Sequence, residues 1–97
     1  MQQPVEIASL RHKGLERLYK RNHPSKLDAR TIDKLRKQFF FLDAMDHSDE
    51  LRTLALGKAH RLSDSRWSLH VIANYRMTFD VNDVTRTITI LDLEDYH

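Results

Sequence analysis

Trp67-Ser68-Leu69-His70-Val71-Ile72-Ala73-Asn74-Tyr75-Arg76-Met77-Thr78-Phe79-Asp80-Val81 is the stretch that decides the fold. Its apolar residues recur every second position, Trp67, Leu69 and Val71 before Ala73-Asn74, and Tyr75, Met77, Phe79 and Val81 after it. Period two is the signature of a strand with one face on a core, and an Ala-Asn pair between two such runs marks a turn. Asn82-Asp83 supplies a second turn, and the β-branched run from Val84 to Ile90 reads as the next strand. The C-terminal half is therefore expected to be an antiparallel meander of three or four strands.

Upstream the period changes. Val5, Ile7 and Ser9 alternate weakly and predict a first strand over Val5 to Arg11. Leu15, Leu18 and Tyr19 have helical spacing, with Lys13, Arg17, Lys20 and Arg21 around the rest of a short basic helix. After the break at Asn22-His23-Pro24, Ser25 and Asp28 approximate a capping box. Ile32, Leu35, Phe39 and Leu42 then form an amphipathic stripe that ends near Ala44 or Met45. Phe40 and Phe41 lie beside that stripe; burial in the core is the expectation, with a ligand site as the alternative. Ser48 to Leu56 reads as a further helical turn capped by Ser48 and ended by Gly57. Together these elements predict an α+β domain: two N-terminal helices packed on a twisted, mainly antiparallel sheet of about four to five strands.

At 97 residues, with no repeat and no Gly/Ser/Pro linker, residues 1-97 form a single domain. Hydrophobic residues make up 40% and charged residues 31%, a globular composition. No apolar run is long enough to span a membrane and the first residues lack signal-peptide character, so the expected location is the cytoplasm with no membrane partner. The absence of cysteine excludes disulfides, thiolate zinc sites and a cysteine nucleophile. Residues 1–40 hold ten Lys/Arg against four acids, whereas residues 41–97 hold six against ten. Such asymmetry suits a polyanion or an acidic partner approaching from one side, or simply two solvated helix faces.

Four short segments, taken in order, carry a resemblance. Arg11-His12-Lys13-Gly14-Leu15, His60-Arg61-Leu62, the run Trp67-Ser68-Leu69-His70-Val71 with Asn74-Tyr75-Arg76-Met77-Thr78-Phe79, and the final Asp95-Tyr96-His97 resemble the HigB toxins of the RelE/ParE superfamily. The likeness spans about residues 7 to 97. It implies a compact RelE-like sheet with two helices, a ribosome-dependent endoribonuclease that cuts messenger RNA in the decoding site, and a helix-turn-helix antitoxin of the HigA kind as partner.

Metal-independent RNA cleavage by the ribose 2′-OH needs a proton acceptor, a proton donor and positive charge at the phosphorane. Arg76 offers a guanidinium fork matched to phosphate oxygens, or else is a surface arginine on a strand. The resemblance places Asp95, Tyr96 and His97 in the cleavage site. Tyr96 would orient the base or the 2′-OH, Asp95 would position a neighbour, and His97 beside a terminal carboxylate leans towards general acid. His60 is the second candidate for proton transfer. Lys58 and Arg61 add positive charge nearby and are expected to hold the RNA backbone; Ser63 and Asp64 stand where the family commonly carries a phosphate-binding lysine, which Lys58 or Arg61 would replace only in part.

Lys13, Arg17 and Lys20, with Arg21, Lys26, Arg30, Lys34 and Lys37, suit ribosomal RNA and an acidic antitoxin equally. Trp67 reads as core rather than as a base-stacking platform. His12, His23, His47 and His70 show no ligand spacing, so neither metal nor cofactor is expected. Two other functions remain open: a ParE-like inhibitor of a topoisomerase that cuts no RNA, and a toxin homologue that has lost catalysis.

Overall fold

The computed structural model of the chain describes residues 5–24, 26–52 and 58–95. Strand β1 (Glu6–Leu10) leads into helix α1 (Lys13–Arg21) and helix α2 (Ile32–Ala44), the latter entered through a 3₁₀ turn at Ala29–Thr31. A second 3₁₀ turn at Ser48–Arg52 follows, then strands β2 (Ala59–Arg61), β3 (Arg66–His70), β4 (Tyr75–Asn82) and β5 (Thr87–Asp95). The part of the predicted helical turn from residue 53 to Gly57 lies outside the described residues.

β2 to β5 form the antiparallel meander that the alternation predicts, but the sheet order is β1-β5-β4-β3-β2 and β1 runs parallel to β5. The sheet is thus mixed, and the helices do not precede it but lie between its first strand and the rest. A parallel neighbour cannot be reached by a hairpin; between β1 and β5 the chain runs through α1, α2 and the strands β2 to β4.

β1 departs from its predicted face. Its register shifts between Ile7 and Ser9, so that Ile7 pairs with Ile88, Ser9 with Thr89 and Leu10 with Ile90. The extra residue reverses the alternation: Ile7 and Leu10 are buried, while Ser9 is exposed and donates its hydroxyl to Thr89 Oγ1 at 3.2 Å. The expected strand from Val84 also starts late. Asn82 Oδ1 accepts from the N–H groups of Val84 and Thr85, and Arg86 is left-handed at φ 59°, so residues 83–86 are turn and β5 begins at Thr87.

Helix α1 starts at His12, whose Nδ1 accepts from the Leu15 N–H at 3.1 Å. A Cβ on Gly14 would lie 3.0 Å from both the His12 ring and the Leu27 side chain, which explains a glycine inside the first turn. Asp28 caps the turn before α2 by accepting from the Arg30 N–H; Ser25, the other half of the expected box, lies outside the described residues.

Leu15 and Leu18 of α1, with Ile32, Leu35, Phe39 and Leu42 of α2, pack on Trp67, Leu69, Met77, Phe79, Val81, Ile88 and Ile90. Each such side chain removed from water contributes about 1.5–3 kcal/mol. Tyr19 meets Phe39 edge-to-face at 5.4 Å. Phe40 is not core, contrary to expectation: it is 79% exposed, because the turn of 100° per residue carries it to the outer side of α2, where no described element covers it. Phe41 is half-buried against the cluster.

Candidate active site

Alternation along the strands divides the sheet into a helix-covered face and a face that no described helix covers. Met77, Phe79 and Val81 point to the helices, so Arg76, Thr78 and Asp80 belong to the open face. Pairing extends that face across the strands. His60 stands opposite Ser68, Ser68 opposite Thr78, and Thr78 opposite Asp92. One step along, His70 pairs with Arg76 and Arg76 with Glu94. Thus His60 and Arg76 share the open face in adjacent rows, with β3 between their strands. Ser68 and Thr78 form a small hydroxyl floor, both buried, and Thr78 Oγ1 donates to the Asp92 carbonyl at 3.5 Å.

A second arginine stands on this face. Arg66 grips Asp80 with two bonds, Nε to Oδ1 at 2.9 Å and Nη2 to Oδ2 at 3.2 Å. That fork holds the Asp80 carboxyl below the usual range against the opposing effect of burial, and raises the Arg66 guanidinium.

The hairpin carrying Arg76 is braced from behind. The buried Gln38 of α2 donates its amide to the His70 carbonyl at 2.9 Å. His70 Nε2 lies 2.8 Å from the Ala73 carbonyl, and Ala73 takes the left-handed conformation at φ 46° that closes the turn. The Tyr75 hydroxyl donates to Asp28 at 3.3 Å; burial above all, and then the negative charges of Asp28 and Asp95, push the phenol up.

The other expected site residues are dispersed. Asp95 pairs with Tyr75, so its register position is on the helix-covered side, across the sheet from His60 and Arg76. Tyr96 and His97 lie outside the described residues. Lys58 is exposed just before β2. Arg61 shares β2 with His60 but alternates to the other face, where it sits 5.8 Å over the buried Trp67 ring and donates to the carbonyls of Ser63 and Asp64. It therefore shapes the loop of Ser63 and Asp64. Lys13, Arg17 and Lys20 belong to α1 in the helical layer, where with Glu16 and Arg21 they line a cleft of about 390 Å³. Lys20 pairs with Glu16 at 3.6 Å.

Sequence reasoning missed Gln38 and the Asp28–Tyr75 contact. The signal for Gln38 was its spacing, three residues after Leu35 and four before Leu42, which puts a polar residue on the apolar side of α2.

A mixed five-stranded sheet, with two helices on one face and a histidine and an arginine on the other, defines a RelE-type toxin fold. The YoeB/ParE toxin from Agrobacterium tumefaciens has this fold, with a TM-score of 0.59 over 95% of this chain and 99% of that one at 14% identity. The profile of the HigB-like toxins, RelE-like toxins of the type II toxin-antitoxin system HigB, matches residues 8–97. Endoribonuclease HigB from Proteus vulgaris is 33% identical over 94 residues, covering 94% of this chain and 99% of that relative. The chain belongs to the HigB-like toxin family.

Proposed function

We propose that this toxin is a metal-independent endoribonuclease that cleaves messenger RNA on the ribosome in the cytoplasm and is neutralised by a helix-turn-helix antitoxin of the HigA kind. The observation that carries the reading is the placement of His60 and Arg76 on one uncovered face of the sheet. A relative of similar length, 33% identical, is named an endoribonuclease.

In the proposed reaction the ribose 2′-OH loses its proton to a base and attacks the adjacent phosphorus; the bond to the 5′ oxygen breaks, and that oxygen takes a proton from an acid. His60 serves as base and His97 as acid, Tyr96 orients the reacting nucleotide, and Asp95 positions one of these two neighbours. Arg76 offers a fork of N–H donors to the phosphorane, where charge develops. Lys58 supports the RNA strand, while Lys13, Arg17 and Lys20 attract the polyanionic ribosome from the helical layer.

Primer extension on a reporter message after brief induction tests this reading, with Arg76→Ala alongside. Cuts within translated codons that drop roughly 10² to 10³-fold in the variant are expected. Growth arrest with intact message would instead place the protein among the topoisomerase inhibitors.

A further inference from the structure

Among the described residues three large apolar side chains are exposed: Phe40, Leu62 and Val84. Leu62 and Val84 sit in turns, as solitary residues commonly do. Phe40 differs, because it stands on the regular surface of α2 beside a groove of about 510 Å³ lined by Arg36, Lys37, Phe40, Phe41 and Ala44. These positions form two adjacent rows along the helix, so the groove follows the helix axis. Its middle is aromatic and methyl surface, and its N-terminal rim is cationic.

No carboxylate among the described residues pairs with Arg36 or Lys37. The acid near the groove's end, Asp43, is turned inward, accepting from the Tyr19 hydroxyl and the Ile7 N–H. Asp33, at the first turn, is the acid on the outer side.

We propose that this outer face of α2 is a docking site for an acidic amphipathic helix of the antitoxin, with an apolar side chain seated against Phe40 and carboxylates on Arg36 and Lys37. An amphipathic helix laid in an apolar groove is a recurring mode of recognition, and acids flanking its apolar stripe complement the two cations. A second copy of this chain fits poorly, since an isologous contact would bring this lining against itself, and it holds two cations and no acid. RNA fits less well than a helix, because Phe40 is the one fully exposed aromatic of the lining, a single ring rather than a row of stacking platforms. The proposal rests on the antitoxin partner of the function proposed above and is independent of the cleavage chemistry.

The test is fluorescence anisotropy on the full chain with a labelled helical peptide of about 20 residues carrying a Leu stripe flanked by Glu. A counterpart with Lys for every Glu, and a labelled oligouridine, are titrated alongside. The Glu peptide is expected to bind about tenfold tighter than the Lys peptide, and Phe40→Ser to weaken it about tenfold while Phe40→Leu retains most of the affinity. Thermal unfolding of both variants checks that the exposed substitution leaves the fold intact. Failure of the Glu peptide to bind, or equal binding to the wild type and Phe40→Ser, overturns the proposal. So does loss of oligouridine binding in Phe40→Ser without loss of peptide binding, which makes the face an RNA platform. A concentration-dependent dimer in sedimentation that Phe40→Ser abolishes makes it a self-association surface and equally overturns it. Primer extension separates the two readings, since Phe40→Ser cuts message as the wild type does.

Discussion

The side-chain amide of Gln38 donates to the main-chain carbonyl of His70 at 2.9 Å, and His70 stands directly opposite Arg76 in the ladder of β3 and β4. A helix of the covered face thereby fixes the hairpin that presents a cation to the open one. Gln38 is fully buried, so shortening it opens a cavity and strands the His70 carbonyl. Gln38→Ala is expected to lower unfolding free energy by about 2–3 kcal/mol in urea denaturation. A loss below about 0.5 kcal/mol would show that this bond does not brace the hairpin.

Tyr19 and Asp43 set the alkaline limb. The Tyr19 hydroxyl donates to Asp43 Oδ2 at 2.6 Å, and Asp43 Oδ1 accepts from Ile7 at 2.9 Å, tying α1, α2 and β1 together. Burial, followed by the Asp43 hydrogen bond and charge, pushes the phenol well above its ordinary range. A group raised on folding stabilises fully below its unfolded value of about 10 and ceases to as pH climbs through the folded one. Stability of the wild type should therefore fall above about pH 10, and Tyr19→Phe should fall less. Identical alkaline profiles of the two proteins would refute this.

Acid acts through Asp80 and Asp28. Arg66 holds Asp80 low, and Arg30, through its guanidinium and its N–H, holds Asp28 low. Carboxyls depressed on folding contribute above their unfolded values near 4, and that contribution disappears as pH falls through the folded values. The Asp28→Asn, Asp80→Asn double variant should show a flatter decline in melting temperature below about pH 4 than the wild type. Both ion pairs are substantially solvated, so added salt should narrow the difference.

His60 and the α1 cations should separate by kinetics. His60→Ala is expected to slow cleavage of ribosome-bound message by roughly 10² to 10³-fold with association unchanged, as loss of a proton-transfer group does. Joint replacement of Lys13, Arg17 and Lys20 by Ala should weaken ribosome association and flatten its salt dependence, with cleavage of the bound complex preserved. Equal loss of binding and cleavage in both variants would erase the distinction between open face and helical layer.

Much of the architecture was legible because it is written in local periodicity. The stripe Ile32, Leu35, Phe39 and Leu42 is buried as its spacing demands, and the Ala73-Asn74 turn joins two alternating strands at the predicted place. What escaped depends on neighbours. Nothing in Val5 to Leu10 says that its partner is β5 or that the pairing is parallel, and a one-residue bulge suffices to exchange Ser9 for Leu10 at the core. Phe40 has the hydrophobicity of a core residue, and only the position of the other elements leaves it outside.

By itself the sequence determined the family, the types and order of the main elements, and that Arg76 points away from Tyr75 and Met77, because alternation is a property of one strand. That His60 lies on Arg76's face while Asp95 lies on the other was decided by tertiary structure. Those relations follow from the registers of three separate pairings, which are selected by the summed packing of residues distant in the chain and leave no local trace in it.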